Sequence, residues 1–293
     1  MPGVLSRWLI PSRSPVSNGA VAERLQAWNG AENAEKYADF CRRFPLYRQT
    51  SEDLCDAAGL DQARVVVDLA CGTGETARVL LSRLGQDARV VAVDASEAMV
   101  SVGRREVADG RVTWMSGPAE RIDDLFDEPV DAVVCNSAIW QMDMPRVFGG
   151  VRRILRPEGR FAFNVGWQFI KLPLPPKTGT GQRRPSLGEL LHAEAVLHHG
   201  FAPRVPRREP LTVDGVLRML EDAGLSASPP HVVDHEMTPE ATRAWLSIPI
   251  FTWQYEPVLS YEQRMAALGR AWERVDRTQT APSRSAVFVA APH

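Results

Sequence analysis

The stretch VVVDLACGTGETARVLL, Val65 to Leu81, sets a glycine turn between an apolar run and a helical pattern. Turns of this kind hold nucleotides, because their backbone N–H groups and the N-terminus of the next helix face the ligand. Gly72, Gly74 and Ala77 fit G-x-G-x-x-G/A, and Asp94 follows Gly74 by twenty residues at the end of the next apolar run. That spacing also describes a dinucleotide site. Charge separates the two readings. Asp68 before the turn and Glu75 after it make acidic surroundings, which disfavour a pyrophosphate and suit a ligand with a cationic amine and a sulfonium. Asp94 accepts from two ribose hydroxyls in either case.

Other residues with chemical capacity are less ordered along the chain. His192, His198 and His199 fall on one expected helix, where His192 and His199 share a face and Glu194 precedes His198 by four. A histidine titrates near working pH, so His192 and His199 are candidates for a general base toward a hydroxyl acceptor. His231 and His235 share a face of an expected strand. A metal site needs a third convergent ligand at suitable spacing, and none is evident, so no metal is expected. The large side chains Trp140, Trp167, Phe169, Phe251, Trp253 and Tyr255 are candidates for an apolar cavity. Trp140 lies just beyond a strand's carboxyl end, where open α/β sheets bind ligands.

The elements that must position these residues alternate from about residue 64 onward. Expected strands are 63–70, 88–95, 111–117, 129–136 and 159–166, with helices near 75–84, 97–107, 119–126 and 144–154. Apolar strands alternating with amphipathic helices imply an α/β fold. The expectation is a doubly wound, Rossmann-like, mostly parallel sheet, carrying a helical N-terminal extension and lid insertions. Further on, 212–225 reads as a helix, HVVDHEM as a strand, YEQRMAALGRAWERV as a helix and SAVFVAAP as a final strand. The expected division is a helical cap or arm over 1–60, followed by a ligand-binding domain over 61–293. Within the latter, 166–210 and 237–260 do not fit the alternation and are expected to be substrate lids. The proline-rich entrance at Pro173, Pro175 and Pro176 and the loose tip at Gly179 and Gly181 suit a hinge in the first.

Composition narrows the classes. The chain has 293 residues, a net charge of -2 and 44% hydrophobic residues, a balance that suits a globular core. Arg42-Arg43, Arg183-Arg184 and Arg207-Arg208 are short and scattered, so no nucleic-acid footprint is expected. Four cysteines without CxxC spacing favour a reduced, cytoplasmic protein, and no apolar run reaches membrane-spanning length. The first 22 residues faintly resemble a transit peptide but read rather as a loosely docked arm.

Five stretches occur in order at ordinary spacings: VVVDLACGTGETA, VVAVDASEAMV, MSGPAERI, VDAVVCNSAIWQM and ILRPEGRFAFNV. Together they resemble the successive motifs of class I S-adenosylmethionine-dependent methyltransferases, in the small-molecule group that contains the ubiquinone-pathway C-methyltransferases. The resemblance is strong over about 62–166 and loose beyond. It implies S-adenosyl-L-methionine as cofactor, with Asp68, Ala70, Gly72, Thr73 and Gly74 around its methionine half and Asp94 on its ribose. Ala95 and Met99 are implied for the adenine face, Gly117, Pro118 and Ala119 for its edge, and Asn136 and Ser137 beside the transferable methyl. Two positions depart from the pattern. Ala70 replaces a glycine, a mild change for alanine in most turns, and Pro118 replaces an aspartate, for which Glu120 is the candidate substitute.

The fourth motif lacks the Asn/Asp-Pro-Pro-Tyr/Phe element of relatives that methylate planar amines, so the expected acceptor is a diffusible small molecule, a secondary metabolite. Tyr47, Trp140, Trp167 and Trp253 are the candidate acceptor-binding residues. The expected activity is methyl transfer to oxygen, nitrogen or carbon. The alternative is a methyltransferase-like cyclase or isomerase that binds the cofactor without transfer. Oligomeric state is not legible.

Overall fold

The computed structural model describes residues 28–173, 184–200, 209–255 and 259–293. Two helices come first, α1 (Ala31–Arg43) and α2 (Leu46–Ala58). The alternation then begins: β1 (Val65–Leu69), α3 (Glu75–Arg83), β2 (Arg89–Asp94), α4 (Glu97–Glu106), β3 (Val112–Ser116), β4 (Val130–Cys135), α5 (Met144–Ile154) and β5 (Leu155–Gly166). The expected helix at 119–126 is a 3-10 helix, Ala119–Leu125, broken at Arg121.

The second half continues with β6 (Ile170–Lys171), α6 (Leu187–His199), β7 (Leu211–Thr212), α7 (Val213–Asp222), β8 (Leu225–Ala227) and β9 (His231–Met237). It ends with α8 (Pro239–Leu246), α9 (Pro249–Tyr255), α10 (Tyr261–Arg274) and β10 (Ala281–Pro292).

The main sheet runs β3-β2-β1-β4-β5-β10-β8, with β9 also on β10. Strands β1 to β5 pair in parallel, and β10 is antiparallel to β5, β8 and β9. The doubly wound, mostly parallel expectation is borne out. Strand pleating sorts the side chains onto two covered faces. Val67, Leu69, Val133, Cys135, Phe161, Phe163 and Phe288 face α5 and α7. Val66, Val134, Ala162 and Val287 face α2 and α3, against Leu54, Cys55, Ala77 and Leu80. Phe163 and Phe288, register partners across β5 and β10, stack at 5.0 Å and 9°.

The 237–260 insert is more regular than expected, while the helix expected around His192 to His199 is present in the other. The 237–260 stretch contains α8 and α9; Ala241 and Ile250 with Phe251 from these helices, and Ile248 between them, pack on Phe40, Leu46 and Tyr47 of the first two helices. The 166–210 stretch contains α6, which packs through Leu187, Leu190 and Leu191 on Ala267, Leu268, Ala271 and Trp272 of α10. Capping boxes fix the starts of both helices, Ser186 with Glu189 and Ser260 with Gln263. The expected hinge positions Pro175, Pro176, Gly179 and Gly181 lie outside the described residues.

Candidate cofactor site

The glycine turn sits at the carboxyl end of β1 and opens α3. Three residues of it have positive φ: Ala70 at 58°, Gly72 at 52° and Gly74 at 89°. Glycine enters this region freely, whereas an L-residue there loses about 1–2 kcal/mol. Ala70 is thus less mild a replacement than the sequence suggests, because the turn needs a left-handed residue at its position. At Gly74 a Cβ would lie 2.6 Å from Trp114 Cη2, so side-chain space as well as φ requires glycine.

Asp94 ties the turn to the next strand. Its Oδ2 accepts from the Gly72 N–H at 2.9 Å and its Oδ1 from the Ser96 N–H at 2.8 Å. Each carboxylate oxygen has a second lone pair, so both can still accept from a ribose hydroxyl. Burial pushes the Asp94 carboxyl above the ordinary carboxylate range, and these two N–H groups oppose the rise.

Asp68 is the unusual group. It is 1% exposed, and neither carboxylate oxygen has a hydrogen-bond partner. Burial first, and the Asp94 charge second, push its carboxyl up to about 8, while the Ala77 N–H, short of hydrogen-bonding geometry, pulls the other way. Burial raises Glu75 as well, against Arg78 and Arg48. An orphaned buried carboxylate costs stability unless a cation or donor meets it. The amine of S-adenosylmethionine supplies both, so the residues fit that cofactor.

Strand parity puts Asp68, Asn136 and Asn164 on the α2 face of the sheet, and the last two form a polar node with α2. Asn136 Nδ2 shares its two hydrogens among Tyr47 O at 3.2 Å, Thr50 Oγ1 at 3.1 Å and Ser51 Oγ at 2.9 Å. Its Oδ1 accepts from Ser137 Oγ at 3.0 Å and Asn164 Nδ2 at 2.9 Å. Asn164 Oδ1 accepts from the Ser137 N–H at 2.6 Å and so holds Ser137, at φ 55°. The Asn136 amide is thereby committed to joining β4, β5 and α2. Ser51 extends the node to Thr76 at 2.9 Å, in the first turn of α3. Asn164, Thr50 and Ser51 escaped the sequence reading; the even strand spacing of Asn164 from Ala162 was the available signal.

Helix α1 roofs the turn. Tyr37 Cε1 lies 3.5 Å from where a Cβ on Gly72 would be. Met99 is buried against Ala34 and Ala38, with Val102 beside it. Trp28 bridges the mouth, donating from Nε1 to Gln141 Oε1 at 3.1 Å while its carbonyl accepts from Ser96 Oγ at 3.1 Å. Ala95 is half-buried at the end of β2; Gly117 is half-buried, Pro118 exposed and Ala119 buried after β3. Thr73 is buried in the turn. Glu120, the candidate substitute for the missing aspartate, accepts from the Asp143 N–H at 3.1 Å, at the start of α5.

The four candidate acceptor residues do not converge. Tyr47 belongs to an aromatic cluster over the turn: its Oη accepts from Trp245 Nε1 at 3.1 Å, Trp245 stacks on Phe251 at 4.1 Å, and Tyr37 lies 5.1 Å from Tyr47. Trp140 stacks on Phe169 at 4.5 Å, against the α5 face of the core. Trp167 is 45% exposed. The Trp253 side chain lies outside the described residues. His192 is half-buried and His199 exposed on α6, whose main packing partner is α10. His198 contacts Glu194 at 3.3 Å, and His235 Nε2 meets Asp53 Oδ2 at 2.6 Å. Among the described residues no three His, Cys, Asp or Glu side chains cluster to hold a metal.

Similarity to known proteins is concentrated in the first half of the sheet. Residues 66–159 match a family described as a methyltransferase domain. Over that stretch the chain is similar to S-adenosylmethionine-dependent methyltransferases. Over 101 residues it is 35% identical to a demethylmenaquinone methyltransferase of Symbiobacterium thermophilum, covering 33% of this chain and 40% of that protein. Over 172 residues it is 28% identical to the ubiquinone/menaquinone biosynthesis C-methyltransferase UbiE of Idiomarina loihiensis, covering 53% and 68%. The chain spans 36%, 40% and 50% of the length of the first three curated relatives it matches. In fold it resembles the YcgJ protein of Bacillus subtilis, with a TM-score of 0.52 and 15% identity over 84% of this chain and 98% of that one.

Proposed function

We propose that the chain transfers a methyl group from S-adenosylmethionine to a small-molecule acceptor, at oxygen, nitrogen or carbon. One observation carries the reading: the buried Asp68 carboxylate, without a partner, beside a glycine turn that Asp94 braces from the next strand. The bound cofactor would supply an activated methyl on a sulfonium, already carrying its leaving group.

What remains for the chain is to bind, align and exclude water. Asp68 receives the amine, the turn from Ala70 to Gly74 surrounds the methionine half, and Asp94 holds the ribose. Ala95 and Met99, with Gly117, Pro118 and Ala119, border the adenine. The node of Asn136, Ser137 and Asn164 keeps the ends of β4 and β5 at fixed separation under the acceptor. Tyr47 and the aromatic side chains of α1, α8 and α9 exclude water above it. No helix among the described residues is long and apolar enough to cross a membrane, and the four buried thiols suit a reducing, cytoplasmic setting.

Two measurements test the proposal. Calorimetric titration with S-adenosylhomocysteine should show one site, and absence of binding would defeat it. Incubation of small-molecule extracts with S-adenosylmethionine bearing a deuterated methyl should then yield a product heavier by that methyl, whose fragmentation locates the acceptor atom. Cofactor bound but never consumed, while a metabolite is isomerised, would favour a non-transferring shaper of substrate.

A further inference from the structure

One aromatic ring of α1 lies on the glycine turn itself. Tyr37 Cε1 stands 3.5 Å from where a Cβ on Gly72 would be. The Cys41 thiol, one helical turn further on, lies against both the Tyr37 hydroxyl and Thr73 of the turn. Tyr37 thus joins the turn to the aromatic cluster of the cap, with its ring centroid 5.1 Å from Tyr47, 6.3 Å from Trp28 and 6.4 Å from Phe251. Phe40, Tyr47 and Phe251 of that cluster are buried. Tyr37 and Gly72, which meet, are both half-buried, so the fold does not use all of either surface.

The covalent structure of the cofactor decides what comes near this ring. Its sulfonium links the methionine chain to the ribose. With the amine at Asp68 and the ribose at Asp94, the sulfur lies over the stretch that joins them, Leu69 to Gly72. The Asp94 carboxylate accepts from the Gly72 N–H at 2.9 Å, which brings the ribose end of that span to the residue Tyr37 covers. A fixed cation beside an aromatic ring is attracted by the negative face of its π-system, and more strongly where water is excluded. The phenol itself is neutral, because burial first, and Cys41 second, push its hydroxyl well above the ordinary range. What Tyr37 offers a cation is therefore its ring.

We infer that the Tyr37 ring reads the charge of the sulfonium, so that the site favours S-adenosylmethionine over its neutral product, S-adenosylhomocysteine. The inference rests on the cofactor reading and adds the residue that tells fresh cofactor from spent. Asp68 and Asp94 meet an amine and a ribose that both nucleosides carry. Loss of the methyl removes the positive charge, weakens the hold of Tyr37 and so favours release of the product.

The test is calorimetric titration of the full chain with each nucleoside, and the readout is the ratio of the two dissociation constants. Tyr37→Phe should keep the wild-type ratio. Tyr37→Leu should shift it about tenfold against S-adenosylmethionine while leaving S-adenosylhomocysteine within about threefold of wild type. Phenylalanines with increasing ring fluorination, incorporated in place of Tyr37, should weaken S-adenosylmethionine stepwise and leave S-adenosylhomocysteine level, since fluorine drains the ring face and barely alters its size. The inference is overturned if Tyr37→Leu leaves the ratio unchanged, if Tyr37→Phe shifts it as far as Tyr37→Leu, or if the fluorinated series is flat for S-adenosylmethionine. That series decides the matter by itself should Tyr37→Leu fail to fold. Wild type that binds neither nucleoside would defeat the cofactor reading as well, whereas binding of both with a ratio indifferent to the ring defeats this inference alone.

Discussion

On the proposed reading, in which Asp68 receives the cofactor amine, this carboxyl makes both stability and binding depend on pH. Its carboxyl titrates near 8 when buried alone, against an ordinary value of 3.8, so the folded protein holds a proton there that the unfolded chain releases. The stability gained from that proton is full below the ordinary carboxylate range and is lost as pH rises through about 8. Wild type should therefore lose melting temperature between pH 5 and 9 relative to Asp68→Asn, whose amide has no charge to bury. Thermal scans of both proteins without cofactor check this, and parallel curves would remove Asp68 as the cause. Binding runs the opposite way. The ligand amine prefers the ionised carboxylate, so affinity for S-adenosylhomocysteine should rise about tenfold per pH unit from 6 toward 8 and then level. Asp68→Asn should bind weakly across that range, without the rise.

At the scale of elements, fit and pairing decide which segments hold together. Helix α4 approaches β3 so closely that a Cβ on Gly103 would lie 2.4 Å from Trp114 Cζ3 and 3.3 Å from the Thr73 backbone carbon. Gly103→Ala should destabilise the protein by about 1–3 kcal/mol in urea titrations, the usual cost of overpacking. In the Trp114→Leu background the same substitution should cost less than it does alone, since the ring it strikes is gone. Helix α6 is bound to α10 by Glu194, 3% exposed, which meets Arg270 at 3.1 Å and also pairs with Arg274. Those two guanidinium groups hold the Glu194 carboxyl below the usual range. Glu194→Gln should speed amide exchange in α6 and α10 and leave β1 to β5 protected; unchanged exchange in both helices would show that apolar packing alone joins them.

The elements also show what a sequence displays and what it hides. Strands β1 to β5 and β10 were legible because each is a run of apolar residues long enough to cross a core. Strand β8 has three residues, too short for any period. Helices α8 and α9 were hidden because each begins at a proline, Pro239 and Pro249, which reads as a break but suits the first turn of a helix. The glycine turn and Asp94 were legible from spacing. The commitment of Asn136 to α2 was not, since its three acceptors lie more than 80 positions earlier in the chain.

For the whole molecule, the division expected near residue 60 is open to a direct test. Residues 28–60 do more than cover a finished domain. Leu54, Cys55, Ala58 and Leu60 belong to the same buried cluster as Val66, Val134, Ala162 and Val287, so α2 is one of the layers that closes the sheet. The same helix supplies Tyr47, Thr50 and Ser51 to the Asn136 node, while α1 roofs Gly72 and Met99. Removing both helices would expose an apolar sheet face and strand the Asn136 amide. A fragment of residues 61–293 should accordingly be insoluble or bind a dye specific for exposed apolar surface, and should not bind S-adenosylhomocysteine. A fragment beginning at Trp28 should fold cooperatively and bind it, since it keeps both helices and the Trp28 bridge to Gln141 and Ser96. Cooperative unfolding of the 61–293 fragment would place the two helices outside the folding unit. The roof that α1 forms over the glycine turn would then be an accessory to a sheet that closes without it.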